Sequence, residues 1–470
     1  YGKWIGGLDV NGFPFNAGAE ISTGTAVGDL DGDGDKEVVF GTSDGAVYAL
    51  TKTGTVHMSF QGNEEEHIVD VPVLSDLDQD GDLEIIAIAS NHDSSSSSLI
   101  VLHDDGEVVD SEGYGNFNVG GIDAAPAIAD LDNDMALDIV VVTLDGDIHV
   151  LEGAGAPDPP SGPFSIDGSF RSSPTLVDLD GDQDLEIIIG NDNGELHVLH
   201  HDGSSMRSFD TEGVIHGGVS VADLDGNGSM ELLFTGDDEH LHAWDPIEDT
   251  EPVGWPIDLG KPGISEPVIL DMDNDGDLEV ICVSGFNEIH LYHHDGTPYG
   301  NFPYVSQDSI RSTPAIGDLD NDGDFELIVG TSSDLRVIDI AQESGDKYSW
   351  STYRGNHHRD GYFDVTLAST SFDGTIIPTK YVLDNNYPNP FNPITRFTYS
   401  LPKDSRVKVT IHDINGRIVK TLIDDRQAAG KRSVTWNAKN DKGLPVATGL
   451  YFYRMESGDF QSTKKMILLK

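Results

Sequence analysis

The chain is poor in cysteine, in basic residues and in helix signals, and each shortage excludes something. One cysteine in 470 residues, Cys282, permits no intrachain disulfide, so no disulfide framework holds the fold. It lies in the apolar run Glu279-Val280-Ile281-Cys282-Val283 and reads as a buried strand residue. Lys and Arg number 27 against 83 Asp and Glu, a formal net charge of −56. That excludes a nucleic-acid binder working through a basic footprint. No stretch approaches the run of about 18 apolar residues that a transmembrane helix needs. The chain opens on Tyr1 with no basic-then-apolar leader before it, which suggests a processed form or a fragment. An acidic disordered chain is excluded by an apolar content of 37% alongside 53 glycines, which is ordinary for a folded protein rich in turns.

The charge is divided. Residues 387–470 hold 15 Lys/Arg and 7 Asp/Glu, a net of +8, and residues 1–386 carry −64. Two parts with different tasks are expected. Residues 364–386, rich in Ser and Thr and without clear periodicity, read as a linker.

The acidic part is a repeat. A short apolar strand, an Asp-rich loop, a second strand, a Gly/Asp/Asn turn and a third strand recur seven times. The loops start at Asp29, Asp76, Asp130, Asp178, Asp223, Asp271 and Asp318, at spacings of 47, 54, 48, 45, 48 and 47. The long interval contains Ser94 to Ser98, which reads as an exposed insertion. Repeats of about 40–50 residues made only of strands predict an all-β fold, a seven-bladed β-propeller over residues 1–363. Fourth strands are expected near Val56–Phe60 and Gly300–Tyr304. The piece from Trp4 to Phe15 matches that from Leu291 to Tyr304, so it is expected to add an outer strand to the seventh blade and close the ring.

Each loop carries side-chain oxygens at positions 1, 3, 5 and 9. They are Asp29, Asp31, Asp33 and Glu37; Asp76, Asp78, Asp80 and Glu84; Asp130, Asp132, Asp134 and Asp138; Asp178, Asp180, Asp182 and Glu186; Asp223, Asp225, Asn227 and Glu231; Asp271, Asp273, Asp275 and Glu279; and Asp318, Asp320, Asp322 and Glu326. Position 7 offers a backbone carbonyl from Asp35, Asp82, Ala136, Asp184, Ser229, Asp277 or Asp324. Such a loop supplies hard oxygen donors in the number Ca²⁺ takes, about six to eight. No Cys or His stands in it, which argues against Zn²⁺ or Cu²⁺. An EF-hand needs its closing Glu at position 12 and flanking helices, and neither is present. Up to seven structural Ca²⁺ ions are expected. Loop three has Met135-Ala136 in place of Gly-Asp, and loop five has Asn227 and Ser229, so these two should bind most weakly.

These repeats resemble the FG-GAP/VCBS repeats of integrin α-subunit heads and many secreted bacterial proteins. The resemblance covers about residues 1–363. It implies Ca²⁺ in Asp-x-Asp-x-Asp-Gly-x-x-Asp/Glu loops on one face of a propeller, and a role in adhesion or ligand binding.

The basic tail has its own pattern. Short strands at Arg396–Tyr399, Val407–Ile411, Ile418–Leu422, Ser433–Trp436 and Leu450–Arg454 predict a small β-sandwich. Asn386-Tyr387-Pro388-Asn389-Pro390-Phe391-Asn392-Pro393, Gly416-Arg417, Ala429-Gly430, Thr448-Gly449-Leu450-Tyr451 and Lys464-Lys465-Met466 resemble the C-terminal sorting domain of type IX secretion cargo, close to a flagellar-hook-capping Ig-like module. That resemblance implies that residues 387–470 address the outer-membrane secretion machinery of a Bacteroidota-like cell. It places the protein outside the cell or on its surface.

No catalytic constellation emerges. Gly41-Thr42-Ser43-Asp44-Gly45 fits the G-x-S-x-G pattern but sits where a strand-to-strand turn is expected. A His recurs at one repeat position as His149, His197, His242 and His290 and reads as packing between blades, while the pairs His200-His201 and His293-His294 read as solvated turns. Quinoprotein dehydrogenase propellers rely on a Trp in each blade, and the five Trp here are out of register. The expectation is a secreted or cell-surface, monomeric, calcium-binding propeller with an extracellular protein or glycan partner and no enzymatic activity. The alternative is the accessory propeller and sorting tail of a larger secreted hydrolase whose catalytic domain lies upstream of Tyr1.

Overall fold

The structure is a computed structural model. It describes residues 15–469 apart from 64, 79, 94, 110–117, 135, 152–156, 159–162, 212, 216, 274, 311, 318–323, 344–347, 351–352, 357, 364–380, 384–390, 392, 394, 402, 404, 415, 428–429, 441, 443, 445 and 459. The chain divides into two compact units, Tyr1–Ser371 and Phe372–Lys470. Every regular element among the described residues is a strand.

The first unit is a β-propeller. Small antiparallel sheets follow one another along the chain, each built by consecutive hairpins. In the first, Ile21–Gly28, Glu37–Thr42, Ala46–Leu50 and Val56–Gln61 pair in order. In the fourth, Thr175–Val177, Glu186–Gly190, Glu195–Leu199 and Ser205–Asp210 do the same. Six sheets carry an outer strand of this kind, and a seventh pairs Ala315–Gly317, Asp324–Gly330 and Leu335–Glu343.

Burial falls from the axis outward. The second strands Asp138–Val142, Glu186–Gly190, Glu231–Thr235 and Glu279–Ser284 are buried at every position. A strand covered on both faces by neighbouring sheets reads as an unbroken β-branched run. The outer strand Ser205–Asp210 is exposed at four of its six positions, so it has no such run to announce it. Continuous apolar clusters fill the space between sheets; one runs from Ala26 through Ile86 to Val141, another from Val177 through Phe234 to Cys282.

The serine run departs in part from the exposed insertion expected of it. Ser97 and Ser98, within the serine run, begin the strand Ser97–Leu102. Ser97 is buried; its hydroxyl donates to Ser90 Oγ at 2.9 Å and accepts from the Ile122 N–H at 2.9 Å. The piece from Trp4 to Pro14 lies outside the described residues. Phe15 packs on Phe40 and Tyr48 of the first sheet, at centroid distances of 6.2 and 5.6 Å. Tyr348–Trp350, which competes in sequence for a blade's outer edge, instead pairs with Val268–Leu270, the innermost strand of the sixth sheet.

That last pairing begins a segment that lines the propeller axis. Beyond it, Tyr362–Phe363 runs parallel to Thr175–Val177 in the fourth sheet. Between them the carbonyls of His358, Asp360 and Gly361 accept from Leu74, Ile128 and Leu176, each at 2.9 Å, on the inner strands of the second, third and fourth sheets. Arg359 Nε donates to the Thr25 carbonyl of the first sheet at 3.2 Å.

The second unit is a β-sandwich. One sheet holds Val382–Leu383, Thr395–Leu401 and Gly430–Trp436; the other holds Ile418–Gln427, Ser405–His412, Gly449–Ser457 and Phe460–Leu468. Trp436, Tyr399, Tyr453, Met455 and Met466 form its core. Phe391 of the proline-rich run is buried against Trp436 at 5.6 Å, with its N–H on the Ile467 carbonyl at 2.9 Å. Val382–Leu383, within the stretch read as a linker, therefore already pairs in this sandwich.

Candidate functional site

Four hydrogen bonds shape the acidic loops, and they recur from copy to copy. The position-1 carboxylate accepts from the position-6 N–H: Gly34 to Asp29 at 2.8 Å, and Gly81 to Asp76, Gln183 to Asp178, Gly228 to Asp223 and Gly276 to Asp271 at 3.2 Å each. Position 3 accepts from position 5, as from Asp33 to Asp31 at 3.2 Å. Position 5 accepts from position 7, at 2.7 Å from Asp35 to Asp33 and 2.6 Å from Ser229 to Asn227. The position-9 acid accepts from the position-2 N–H in all six described loops, at 3.3 Å for Glu37, 2.8 Å for Glu84, 2.9 Å for Asp138, 2.8 Å for Glu186, 2.7 Å for Glu231 and 2.8 Å for Glu279. Such a winding turns alternate side chains toward one point. It also needs positive φ at position 6, where Gly34, Gly81, Gly228 and Gly276 take 91°, 104°, 95° and 95°. Gln183 is forced to 83° at the same place.

The hydrogen bonds leave oxygens over. One buried oxygen, Oδ1, of each of Asp29, Asp76 and Asp223 has no hydrogen-bond partner. Oxygens of Asp29, Asp31 and Asp33, and likewise of Asp76, Asp78 and Asp80 and of Asp130, Asp132 and Asp138, lie within 4.8 Å of one another. The position-9 acids are buried, and burial raises their carboxyls against the opposing pull of the position-2 N–H. Asp138 rises to about 7, Glu186 to about 6, Glu231 to about 8 and Glu279 to about 7, and Glu37 and Glu84 also rise. Buried carboxylates facing further carboxylates hold their charge only beside a cation. The donor set is all hard oxygen, and it fits Ca²⁺. In the seventh loop Asp318, Asp320 and Asp322 lie outside the described residues, as does the Asp324 side chain, while Glu326 is buried like its counterparts.

Residues 130–189, 178–234 and 271–329 match the FG-GAP-like repeat, and residues 393–459 match the FlgD Ig-like domain. The chain carries FG-GAP-like repeats. Those segments contain loops three to seven; loops one and two share the same hydrogen bonds. No curated protein matches the chain. Among solved structures it is similar to BamB from Moraxella catarrhalis, at 16% identity over 69% of this chain and 86% of that one, with a TM-score of 0.46. It is also similar to BBS1N in complex with ARL6DN, at 15% over 68% and 93%, TM-score 0.47. The V. cholerae biofilm matrix protein Bap1 is similar at 13% over 88% and 70%, TM-score 0.45.

Neighbouring acidic loops are tied together. Leu83 of loop two donates to the Leu30 carbonyl of loop one at 3.0 Å, and Leu185 of loop four to Leu131 of loop three at 2.9 Å.

Histidines approach the loops from outside them, which the loop sequences do not reveal. His103 and His200 directly follow the third strands of the second and fourth sheets, and His293 ends the third strand of the sixth. Their Nδ1 atoms stand 3.4, 3.2 and 3.1 Å from Oε1 of Glu84, Glu186 and Glu279. His200 and His293 thus open turns, as expected, and keep about a third of their side chain exposed, but they are also partners of the position-9 acids. The signal available in sequence is the fixed interval of 14 residues from Glu186 to His200 and from Glu279 to His293.

The recurring His at the repeat's third strand is structural, but its partners differ. His197 Nε2 meets Asn191 Nδ2 at 3.1 Å; His290 bonds to Ser284 Oγ at 2.8 Å and the Tyr292 hydroxyl at 3.1 Å. Buried His242 is gripped by Asp238 Oδ2 at 2.7 Å and Glu251 Oε1 at 3.0 Å. Burial alone would lower its pKa, but the two carboxylates hold it up at about 9. Since the folded value lies above the unfolded one, His242 contributes its full stability below about pH 6.5 and loses it as pH rises through about 9. The urea midpoint of the propeller should therefore fall between pH 6.5 and 9, and His242→Asn should flatten that fall; an unchanged slope in the variant would refute the assignment.

The Gly41–Gly45 segment is a hairpin turn, with the Gly45 N–H on the Thr42 carbonyl at 3.2 Å. Cys282 is fully buried and burial pushes its thiol well up, so it is held as the unreactive thiol.

Residues that precede the inner strands of the fourth to seventh sheets, with Thr25 and Asp70 inside those of the first and second, surround an axial cavity of about 360 Å³. Because the FG-GAP-like loops follow those strands, cavity and loops lie at opposite ends of them. Asp70, Ser173, Gly218, Glu266, Tyr353 and Arg359 are among the lining residues. Asp70, at a positive φ of 51°, accepts from the Tyr353 hydroxyl at 2.6 Å, Ser173 Oγ at 3.2 Å and the Ala125 N–H at 3.2 Å. Gly218 is small for a reason: a Cβ there would stand 2.0 Å from Glu266 Oε2.

Proposed function

We propose that the chain is an exported calcium-dependent binding module. The carrying observation is the common winding of the six described loops, which leaves a buried Oδ1 of Asp29, Asp76 and Asp223 without a hydrogen-bond partner. Asp or Asn at positions 1, 3 and 5, the position-7 carbonyl and the position-9 acid would hold one Ca²⁺ per loop, fixing each blade's first hairpin. Calcium would supply charge neutralisation and rigidity. The chain's own residues orient the carboxylates and present the opposite face, with its axial cavity, to an extracellular protein or glycan. The Ig-like tail, with Phe391 of the proline-rich run locked to its last strand, is read as the type IX sorting domain. The route is tested by fusing residues 381–470 to a reporter and asking whether a type IX-competent cell exports it.

Calcium titration of the whole chain, followed by calorimetry, tests the site. Up to seven ions are expected, in two classes. Loop three is weaker because Asp138 is shorter than Glu and Ala136 brings no charge; loop five is weaker because Asn227 and Ser229 remove two charges. Substituting Asp225 by Ala should delete a weak site, and substituting Asp180 by Ala a strong one. Uniform affinity would overturn the ranking, and an absence of calcium binding would overturn the function.

A further inference from the structure

We propose that FG-GAP-like loops two and four also accept a borderline divalent cation of the zinc class, through the triads Asp78–Glu84–His103 and Asp180–Glu186–His200, in competition with calcium. This shares the loops of the calcium reading but fails or stands on different measurements.

The donors already converge. In each triad one carboxylate oxygen from Asp, one from Glu and a ring nitrogen lie within 4.8 Å of one another. Glu84 and Glu186 are 3% and 1% exposed at the side chain, so the oxygen facing the imidazole is largely removed from water. Each imidazole is held by a tight turn. The His103 N–H donates to the Glu107 carbonyl at 2.9 Å and its carbonyl accepts from Gly106 at 2.9 Å; His200 repeats this with Ser204 at 2.9 Å and Gly203 at 2.8 Å. The rings remain 39% and 33% exposed, so a cation can reach Nδ1 from solvent. At loop four a second imidazole, His201, stands 3.3 Å from Asp184 Oδ2.

Loops one and five supply an internal contrast, whereas loop six carries His293 in the same place, 3.1 Å from Glu279 Oε1. The residue 14 positions after the closing acid, His200 in loop four, is Thr51 in loop one and Asp245 in loop five, both oxygen donors; in loop two the serine-rich insertion lengthens that interval to 19. Thr51 sits in the same turn, with its N–H on Thr55 at 2.9 Å and its carbonyl on Gly54 at 2.8 Å. Calcium gains little from imidazole, whereas zinc, cobalt and nickel favour a mixed nitrogen and carboxylate set. With the proton on Nε2, the neutral imidazole offers Nδ1 to the ion. The same Asp and Glu oxygens serve either cation, so binding is mutually exclusive.

The test uses the full chain, freed of metal and dialysed against Zn²⁺, with Co²⁺ as the spectroscopic probe. Wild type should bind two more Zn²⁺ than the H103A/H200A double variant, and the variant's cobalt d–d absorption should fall accordingly. Loss of a direct ligand should weaken each site by at least about 10-fold. Excess Ca²⁺ should release those two ions from wild type. The variant should keep its calcium-dependent melting shift, which shows it is folded. Equal zinc stoichiometry in the two proteins, or zinc that stays bound at calcium concentrations that shift the melting of the wild type, overturns the proposal. If the wild type shows no calcium-dependent shift but the two-ion difference persists, the calcium reading fails and this one stands.

Discussion

Chelation of divalent cations by EDTA lowers the melting temperature of the propeller by at least about 15 °C and leaves the Ig-like unit unmoved. Each ion that binds the folded loop and not the unfolded chain adds about 2.7 kcal/mol when free calcium is a hundredfold above its dissociation constant. Several such loops therefore add well over 10 kcal/mol, and a kcal/mol is worth roughly 2 °C in a domain of this size. Without the ions, the acids that burial has raised, such as Glu231 at about 8, take up protons or repel their neighbours. Coupling between loops, as from Leu83 to Leu30, spreads the effect across blades. Calorimetry of the full chain resolves two transitions, because the units have separate cores. If the first transition stays in place on chelation, the ions are not structural.

Replacing Arg354 by Ala costs the propeller about 3–5 kcal/mol, the range for stripping one partner from a buried charged network. Arg354 is 2% exposed and sits in the axial segment at a positive φ of 60°. Its guanidinium donates to the carbonyls of Arg359 at 2.9 Å, Ala125 at 3.5 Å, Pro174 at 3.4 Å and Asp360 at 3.4 Å, and to that of Pro126. Its own N–H donates to Glu266 Oε1 at 2.6 Å. One side chain thus ties the third and fourth sheets to the segment, and its backbone ties the sixth. Alanine would strip the guanidinium from these carbonyls, of which that of Asp360 keeps the Ile128 N–H. Arg171→Ala is the control. Arg171 is 47% exposed and pairs with Asp123 and Asp192, so its loss should cost less than about 1 kcal/mol. Urea denaturation measures both, and equal effects would refute a keystone role for Arg354.

The contrast between these two predictions marks how far the residues could be read unaided. The loops were legible because their information is local and repeated. A carboxylate at every second position must converge in a tight turn, and seven copies leave the spacing in plain view. The second strands were legible for a related reason: burial on both faces writes an unbroken β-branched run, as in Ile187–Ile189. Outer strands such as Ser205–Asp210 are half wet and leave a weaker mark. The recurring His was visible as a position, but whether it meets Asn191, Asp238 or Ser284 depended on side chains across a hairpin.

The sequence by itself determined the all-β class, the repeat, the acidic loops with their spacing and a separate basic sandwich. All of these follow from contacts a few residues apart, repeated often enough to show a period. Tertiary structure alone decided what closes around the axis. Tyr353 meets Asp70 across 283 residues, and Arg354 meets Pro126 across 228. That segment occurs once, so it has no period. Most of the partners of the Arg354 guanidinium are backbone carbonyls, which every residue carries and no sequence pattern can advertise.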